Sequence, residues 1–284
     1  MQTRKAWITG TGGLIGSEIV RSARRWAEQW RVTGLTRAEL ELTDHDAVTS
    51  RFRSDSPDLI IHCAAMSRAA DCAGDPISAR ANNVDATRHL AGLARNSAFI
   101  FLSTDLVLDG RKGNYTEEDS VNPLHVYGET KAEAERIVLE NPRHTVLRIA
   151  LNFGKSPTGD RGFNEQMHAA LAAGQMLNLF TDEYRCPIAT EVTARAIWEL
   201  AGKEIGGLFL VGGGERVSRW DIGQALVRRW GPLPGTIQRA SSKDYSGPPR
   251  PADLSLNCQK LQSLLSFPLP GFHEWLEQNP TAKV

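Results

Sequence analysis

Short apolar runs alternate with longer amphipathic stretches through the first half of the chain. Residues 5–10 (KAWITG), 58–65 (DLIIHCAA) and 98–105 (AFIFLSTD) are apolar runs of strand length, continuous instead of alternating. Continuous apolar strands are typical of parallel sheets that helices cover on both faces. Amphipathic stretches such as residues 15–30 and 77–95 separate these strands and predict helices. The pattern therefore predicts an α/β fold with a doubly wound parallel sheet.

The first predicted helix covers residues 15–30. Ile15, Ile19, Trp26 and Trp30 recur there at helical spacing, with charged residues between them. A further strand is predicted at RVTGL, and HTVLRIA adds another apolar run near the middle of the chain. Strand, helix and strand thus repeat, which favours parallel pairing through crossover helices.

Beyond residue 150 the rhythm loosens, which predicts a division into residues 1–150 and a smaller lobe of residues 151–284. Two Gly/Pro-rich stretches are too long to be simple turns, at 153–162 and 241–254. Helices are predicted at 163–173, 190–202 and 218–230. The run GLFLVGGG at 207–214 predicts a strand that could rejoin the main sheet.

Charge and composition exclude several classes of function. Lys and Arg total 33, as do Asp and Glu, so the chain has no net charge and lacks the basic surface expected of a nucleic-acid-binding protein. No apolar run approaches the roughly 20 residues of a membrane span. The N-terminus shows no signal-peptide pattern. We therefore expect a cytoplasmic protein with neither a nucleic-acid nor a membrane partner.

The four cysteines, Cys63, Cys72, Cys186 and Cys258, are scattered and form no C-x-x-C pair. Reduced, buried thiols are the expected state, and no metal site is predicted. His62 lies beside Cys63 on an apolar strand, where a buried core histidine is expected.

The stretch ITGTGGLIGSE places Gly10, Gly13 and Gly16 between the first strand and the first helix. The spacing is G-x-x-G-x-x-G, since Ile15 stands where G-x-G-x-x-G would need its third glycine. Glycine there allows a tight turn and a close backbone approach to a pyrophosphate at a helix N-terminus. The strand–turn–helix setting predicts a Rossmann-like dinucleotide site, in which Thr11, Leu14 and Ile15 also line the cofactor.

The end of the second strand bears on the choice of cofactor. Enzymes that hold an adenosine ribose 2′-hydroxyl usually place a carboxylate there, whereas this chain has Thr36 and Arg37. A guanidinium suits a 2′-phosphate, so NADP(H) is predicted, with NAD(H) as the alternative.

Tyr127 and Lys131 stand four apart at the head of a predicted helix, so they lie on one face. A nearby ammonium should lower the pKa of the phenol and suit it to proton exchange. Ser103 and Thr104 offer hydroxyls at a strand's carboxyl end, the edge where open α/β sheets bind ligands. Together with the glycine loop, this arrangement predicts an active site.

The motifs GTGGLIG, LSTDLVLDG and NPLHVYGETKAEAE resemble the extended short-chain dehydrogenase/reductase superfamily, and most of all dTDP-4-dehydrorhamnose reductases. The resemblance extends to CAAMSRAADCAGDP, NNVDATRHLA, DEYRCPIATEVTA and RPADLSLNCQKL, and so to nearly the whole chain. It implies an NADP-binding domain followed by a substrate-binding lobe. It also implies hydride transfer to the C4 ketone of a nucleotide sugar.

The resemblance assigns a role to individual residues. Tyr127 would donate the proton, Lys131 would bind the nicotinamide ribose and tune Tyr127, Thr104 would bind the ketone oxygen, and Asp105 would touch the sugar. The residues implied beside the cofactor, in addition to the glycine loop, are Glu41 and Leu42 at the adenine, and Cys63, Ala64 and Ala65.

Two positions depart from related patterns. Leu151 stands where these reductases commonly have a tryptophan against the sugar, which puts the rhamnose precursor in doubt as the substrate. Leu106 stands where 4,6-dehydratases have a glutamate, which favours simple reduction. Arg185 and Arg250, in late loops, are candidates to hold a diphosphate, with surface charge as the alternative.

Two other functions stay open. The regulatory subunit of methionine adenosyltransferase resembles the same reductases, so a non-catalytic binding subunit is the main alternative. An epimerase is the lesser one, although epimerases usually have a Ser-Ser run where this chain has STD. The oligomeric state is also open, with a homodimer as one alternative.

Overall fold

A parallel sheet forms the centre of the computed structural model, which describes residues 4–284, so residues 1–3 of the first predicted domain lie outside the described residues. Within that range the sheet has six strands. They are β1 (Arg4–Thr9), β2 (Trp30–Leu35), β3 (Leu59–His62), β4 (Ala98–Thr104), β5 (His144–Ile149) and β10 (Gly207–Val211). The predicted α/β fold with a doubly wound parallel sheet is therefore confirmed.

The strand order is β10-β5-β4-β3-β1-β2, and every neighbouring pair is parallel. The chain runs from β1 outward to β2 and then crosses to β3 on the other side of β1. Ligands of open α/β sheets bind at such a reversal, beyond the carboxyl ends of the strands. The glycine loop follows β1 and the Cys63–Ala65 segment follows β3, so the two lie at this reversal.

Helices cover both faces of the sheet. Their bounds are α1 (Leu14–Trp26), α2 (His45–Asp55), α3 (Ala69–Gly74), α4 (Pro76–Arg80), α5 (Ala86–Leu93), α6 (Val126–Val138), α7 (Phe163–Ala172), α8 (Thr190–Lys203), α9 (Arg219–Trp230), α10 (Gln259–Gln262) and α11 (Phe272–Gln278). Ile8 packs in the core under α1 and α8, whereas its neighbour Trp7 packs in the core under α2, α5 and α6. Neighbours on a strand point to opposite faces, so each strand serves both cores.

Residues beyond 150 contribute to the central layers as well as to a lobe. Strand β10 pairs with β5, and α8 packs on α1, where the Trp198 indole donates to the Ile19 carbonyl at 3.0 Å. Short strands build the lobe: β6 (Asn152–Phe153), β7 (Met176–Phe180), β8 (Tyr184–Arg185), β9 (Ile188–Ala189), β11 (Val217–Ser218) and β12 (Thr236–Ala240).

The prediction of one helix over residues 15–30 is wrong at its end. Helix α1 stops at Trp26, and Trp30 is the first residue of β2. The Trp30 N–H donates to the Ala27 carbonyl, which closes a turn, and the Trp30 side chain is buried in the core. Both the helix and the core favour an apolar residue at this position, so spacing alone does not separate them.

The predicted helix 77–95 is interrupted. Residues Ala81–Asp85 form a π-helical turn between α4 and α5, and the Ala86 N–H donates to the Ala81 carbonyl. The Asn83 side chain in this turn exchanges two hydrogen bonds with the backbone of Met66, at 2.8 and 3.0 Å. Such turns are frequent at functional sites, and this one anchors the segment that follows β3.

We expect Gly10→Ala to lower the free energy of unfolding by about 1–3 kcal/mol. Gly10 has φ +72°, and a Cβ there would lie 2.6 Å from the Ala64 backbone nitrogen. Gly12→Ala is the matched control, because a Cβ at Gly12 meets nothing within 4 Å. Urea unfolding measures both, and equal stability of the two variants would contradict the close approach.

Candidate active site

The glycine loop turns the chain sharply from β1 into α1. The Gly10 N–H donates to the Leu35 carbonyl at 2.9 Å, and the Gly13 N–H donates to the Gly10 carbonyl at 3.0 Å. A Cβ on Gly16 would overlap the Gly10 carbonyl, so α1 can begin this close to the strand only with glycine there. Gly13 is the N-cap and has no side chain to cap the first turn. The N–H groups of that turn therefore face the loop and suit an anion.

The segment after β3 lies directly against the glycine loop. The Thr9 hydroxyl bonds to His62 Nδ1 at 2.7 Å and accepts from the Ala64 N–H at 3.3 Å. His62 is fully buried, bonds through Nε2 to the Thr87 hydroxyl, and burial, with Lys131 as a smaller cause, lowers its pKa to about 3. This is the buried core histidine that the sequence predicts. The loop and Ala64 thus lie in close backbone contact, beside the N–H groups of α1 that suit an anion.

Two of the residues expected at the adenosine end, Arg37 and Glu41, contact each other. Arg37 Nε lies 2.8 Å from a Glu41 oxygen, and its Nη2 donates to Asn82 at 2.9 Å. The Arg37 side chain is 71% exposed, so it can turn toward a ligand. Thr36 donates through its N–H and its hydroxyl to Glu39. The exposed Arg37 guanidinium is therefore already paired with the Glu41 carboxylate.

Tyr127 and Lys131 lie in the first two turns of α6. Both are buried, and Lys131 is only 1% exposed. The Lys131 ammonium sits over the Phe101 ring, 3.8 Å from its centroid. Burial lowers the pKa of Lys131 to about 7, which Glu135 and Cys63 oppose. The thiol beside it, Cys63, has its pKa raised by burial to about 12, so it stays protonated.

The expected effect of Lys131 on Tyr127 is absent. Burial raises the pKa of the phenol above its usual value and the Asp105 carboxylate raises it further, whereas a hydrogen bond with Thr104 opposes them. The prediction of a lowered pKa considered charge at helical spacing and omitted desolvation, which is the larger effect here. Tyr127 consequently keeps its proton at neutral pH, as a proton donor must.

Asp105 brings an unpaired carboxylate oxygen to the same place. The Thr104 hydroxyl donates to its Oδ1 at 3.3 Å, while Oδ2 is buried with no hydrogen-bond partner. Burial raises the pKa of Asp105 to about 6, although Arg185 and Arg219 act against it. A buried acceptor without a donor is costly unless a ligand supplies one. Asp105 is therefore placed to accept a hydrogen bond from a ligand hydroxyl.

The other strand-end hydroxyl points away from this site. Ser103 faces the side of the sheet that α6 covers and donates to Glu135 at 2.5 Å. Arg148 of β5 forms a buried ion pair with the same carboxylate, with Nη2 at 2.9 Å. Side chains alternate along a strand, so of the two hydroxyls proposed from the sequence only Thr104 lies beside Tyr127.

Three arginines converge on one buried carboxylate at the edge of the lobe. Glu183 is 1% exposed and pairs with Arg250 at 2.6 Å, with Arg185 at 3.0 Å and with Arg219 at 3.6 Å. Among the described residues, this cluster brings three guanidinium groups to one carboxylate. Two of them, Arg185 and Arg219, act electrostatically to lower the pKa of Asp105. Sequence reasoning identified Arg185 and Arg250 but missed Arg219, which lies in no motif, and Glu183, although Glu183 lies in the segment DEYRCPIATEVTA. An excess of guanidinium groups suits a diphosphate.

Arg219 also borders an apolar pocket of about 120 Å³. Its lining is Phe163, Met167, Leu177, Asn178, Leu179, Ile222 and Gly223. Flat, apolar ligand groups suit such a lining, and Arg219 joins it to the arginine cluster.

Other predicted residues lie at the edges of this site. Leu42 packs, half-buried, against the core under α2. Leu151 lies two residues beyond Ile149, the last residue of β5, which pairs with Thr104. The Leu151 side chain packs against the core under α1 and α8. Among residues 4–284 no three His, Cys, Asp or Glu side chains are grouped to hold a metal ion. In the same range no helix is long and apolar enough to cross a bilayer.

Known proteins match along nearly the whole chain. The family "RmlD substrate binding domain" matches residues 4–281. The "Probable low-salt glycan biosynthesis reductase Agl14" of Haloferax volcanii is 30% identical over 95% of each chain. The dTDP-4-dehydrorhamnose reductase of Sinorhizobium fredii is 29% identical over 94% of this chain and 93% of its own. Methionine adenosyltransferase 2 subunit beta of Rattus norvegicus is 28% identical over 92% of this chain and 83% of its own.

Solved structures share the fold. A dTDP-4-dehydrorhamnose reductase from Clostridium acetobutylicum has a TM-score of 0.87 at 25% identity, with 98% of both chains covered. The dTDP-4-dehydrorhamnose reductase from Bacillus anthracis, solved in complex with NADP, has a TM-score of 0.88 at 19% identity and the same coverage. The second likeness concerns the fold alone.

We expect Lys131→Met to raise the free energy of unfolding by a few kcal/mol at pH 7 and below, with the gain shrinking at higher pH. The folded pKa is about 7 and the unfolded one about 10.5, so below pH 7 the folded chain bears the full cost of burying an ammonium. Between those values the unfolded chain binds the extra proton, and stability rises with pH. Urea unfolding across this range measures the difference. Lys155→Met, at an exposed lysine, is the control, and an equal response would contradict the burial cost.

Proposed function

The chain belongs to the RmlD substrate binding domain family, and from this premise we propose that it is an NADPH-dependent reductase of a 4-keto nucleotide sugar. One observation carries the proposal: the proton-bearing Tyr127 lies beside Thr104 and Asp105 at the carboxyl edge of the sheet, with Lys131 buried one turn away. Two curated relatives are named reductases, which supports oxidoreductase chemistry.

The residues present fit a dinucleotide. Gly10 and Gly16 leave a cradle that a Cβ would fill, and the first turn of α1 turns uncapped N–H groups toward it. These groups would hold the pyrophosphate, Arg37 would meet the 2′-phosphate, and Ala64 would lie beside the cofactor. The solved neighbour from Bacillus anthracis contains NADP, which agrees with this assignment. When bound, the nicotinamide supplies the hydride.

The protein's own residues would handle the proton. The hydroxyls of Thr104 and Tyr127 would hold the ketone oxygen, and Tyr127 would pass its proton to that oxygen as negative charge develops there. The Lys131 ammonium, one helical turn from Tyr127, would bind the nicotinamide ribose. The free oxygen of Asp105 would accept from a sugar hydroxyl and so orient the ring. Burial of all these groups strengthens each interaction.

The substrate's diphosphate would lie on the cluster of Arg185, Arg219 and Arg250. Glu183 holds the three guanidinium groups in place and leaves two positive charges uncompensated, a number that matches a diphosphate. The base would then enter the apolar pocket bordered by Arg219, at the side of the cluster that faces the lobe. The electrostatic action of Arg185 and Arg219 on Asp105 supports this assignment, because Asp105 is the residue proposed to contact the sugar.

Leu151 bears on the sugar itself. It lies at the same sheet edge as Thr104, and its side chain packs against the core. A leucine there offers no aromatic face for the sugar. The absent stacking and burial are worth about 1–3 kcal/mol, which would weaken one sugar without removing the site. We therefore propose a 4-keto nucleotide sugar other than the rhamnose precursor.

A non-catalytic binding subunit is the second candidate, because methionine adenosyltransferase 2 subunit beta is as similar as the reductases. A subunit of that kind could retain Tyr127 and Lys131 as binding residues. Co-purification of the chain with a methionine adenosyltransferase, without turnover of any keto sugar, would favour this candidate over the reductase.

We expect NADPH oxidation with at least one 4-keto nucleotide sugar from a panel that includes dTDP-4-dehydrorhamnose, and a loss of kcat of roughly 10²–10⁴-fold in Tyr127→Phe. The ring remains, so NADPH affinity should change little. Stopped-flow absorbance measures turnover, and NADPH fluorescence measures binding.

Tyr184→Phe is the matched control, since it also removes one phenol hydroxyl from a partly exposed position of the lobe. A Tyr127→Phe enzyme within a few-fold of wild-type turnover would remove Tyr127 from the mechanism. A panel with no substrate at all would count against the reductase.

We expect Arg37→Ala to weaken NADPH binding about tenfold or more while leaving NADH unchanged, because a charge-assisted contact to the 2′-phosphate is lost. Glu41→Gln should strengthen NADPH binding, because the wild-type Glu41 carboxylate pairs with Arg37 and would repel the 2′-phosphate. Calorimetric titration with the two cofactors measures the effect. Arg53→Ala, at an exposed arginine of α2, is the control. Equal affinities for the two cofactors in the wild type would contradict the assignment.

A further inference from the structure

A histidine caps the helix that carries Tyr127. His125 is the N-cap of α6, and its Nδ1 accepts a hydrogen bond from the Gly128 N–H at 3.2 Å. The third residue of a helix is the usual donor to an N-cap side chain, but that side chain is usually Ser, Thr, Asp or Asn. The cap spans Tyr127, and the His125 and Tyr127 rings stack at 25° with centroids 6.3 Å apart.

The capped turn is also fixed to the strand end beside it. A Cβ on Gly128 would overlap the Leu106 carbonyl oxygen, so the two backbones touch. The Leu106 N–H donates to the Thr104 hydroxyl at 3.2 Å. A continuous set of contacts therefore leads from the His125 imidazole through Gly128 and Leu106 to Thr104. The cap thus fixes the turn that carries Tyr127 against the segment that bonds to Thr104.

The cap requires a neutral imidazole. Nδ1 accepts from Gly128, so it carries no proton, whereas an imidazolium donates from both nitrogens and cannot accept. Burial is the largest influence on His125 and lowers its pKa. A hydrogen bond to its own backbone and the Glu129 carboxylate of α6 oppose this, and Arg250 from the late loop adds to the lowering. The folded chain thus favours the capping form at neutral pH.

We propose that His125 is a positioning residue whose neutral imidazole holds the first turn of α6, so that its protonation releases this turn and slows catalysis in acid. The proposal rests on the proposed reductase for its kinetic consequence only. The folded pKa of His125 lies below the unfolded value of about 6.5. The cap therefore contributes its full stabilisation above pH 6.5, and this stabilisation is lost as pH falls through the folded pKa of His125.

The test compares wild type with His125→Asn and His125→Leu. Asparagine accepts from the same N–H without titrating, and leucine fills similar space without a cap. The Gly128 amide resonance and its protection from hydrogen exchange, corrected for intrinsic rates, are followed by NMR between about pH 5 and 8. The kcat and the KM for NADPH are measured over the same range. His168→Asn, at an exposed histidine of α7, is the matched control.

In wild type the Gly128 amide should lose protection with a midpoint below about pH 6.5, and kcat should fall with the same midpoint while the KM for NADPH stays constant. His125→Asn should remove the Gly128 transition and the part of the kcat loss that follows it, while the Asp105 carboxyl, with a pKa of about 6, continues to titrate. His125→Leu should show low protection at every pH and a kcat about fivefold lower, the factor that one lost N-cap represents.

Two results would overturn the proposal: a Gly128 transition that persists in His125→Asn, or Gly128 protection in His125→Leu equal to that of wild type. The NMR result decides the positioning role even when no keto sugar is turned over. An enzyme without any substrate would refute the reductase and leave the Gly128 result standing.

Discussion

Backbone segments touch without side chains between them at the carboxyl edge of the sheet, and the rest of the site depends on these contacts. Gly10 lies against Ala64 where the segments after β1 and β3 meet, and Gly128 lies against the Leu106 carbonyl where α6 begins beside β4. A methyl group at either glycine would push two elements apart. The first contact holds the glycine loop where the proposed pyrophosphate would lie. The second fixes the first turn of α6, which carries Tyr127, beside the end of β4.

Burial, more than pairing, determines the electrostatics around Tyr127. Desolvation favours the neutral phenol, lowers the pKa of Lys131 and raises that of Asp105. An apolar environment penalises every unpaired charge, and a ligand that brings partner groups relieves the penalty. Arg148 forms an ion pair with Glu135 of α6, so the carboxylate that acts on Lys131 is already paired. The site therefore holds ionisable groups whose charges are only partly paired by other protein groups.

The lobe provides the opposite arrangement, with charge concentrated at its edge. Glu183 draws three guanidinium groups together, so positive charge is in excess there. The apolar pocket lies beside Arg219 of this cluster. In the proposed function, the sheet edge, the arginine cluster and the pocket would meet the sugar, the diphosphate and the base of a nucleotide sugar.

Local pattern in the sequence was enough to determine the alternation of strands and helices, the glycine turn and the shared face of Tyr127 and Lys131. Each of these depends on neighbours within a turn or a strand, and hydrophobic period and glycine spacing report them directly. Pattern failed at Trp30, where a helix and a strand both accept a buried indole. Only the tertiary structure decided that Ser103 faces Glu135 and that Arg37 shares Glu41 and Asn82. It also decided that Arg219 joins Arg185 and Arg250, and that burial raises the pKa of Tyr127 where the spacing predicted a lowered one. These outcomes depend on groups far apart in sequence and on water removed by the whole fold, and neither is recorded in the spacing of residues along the chain.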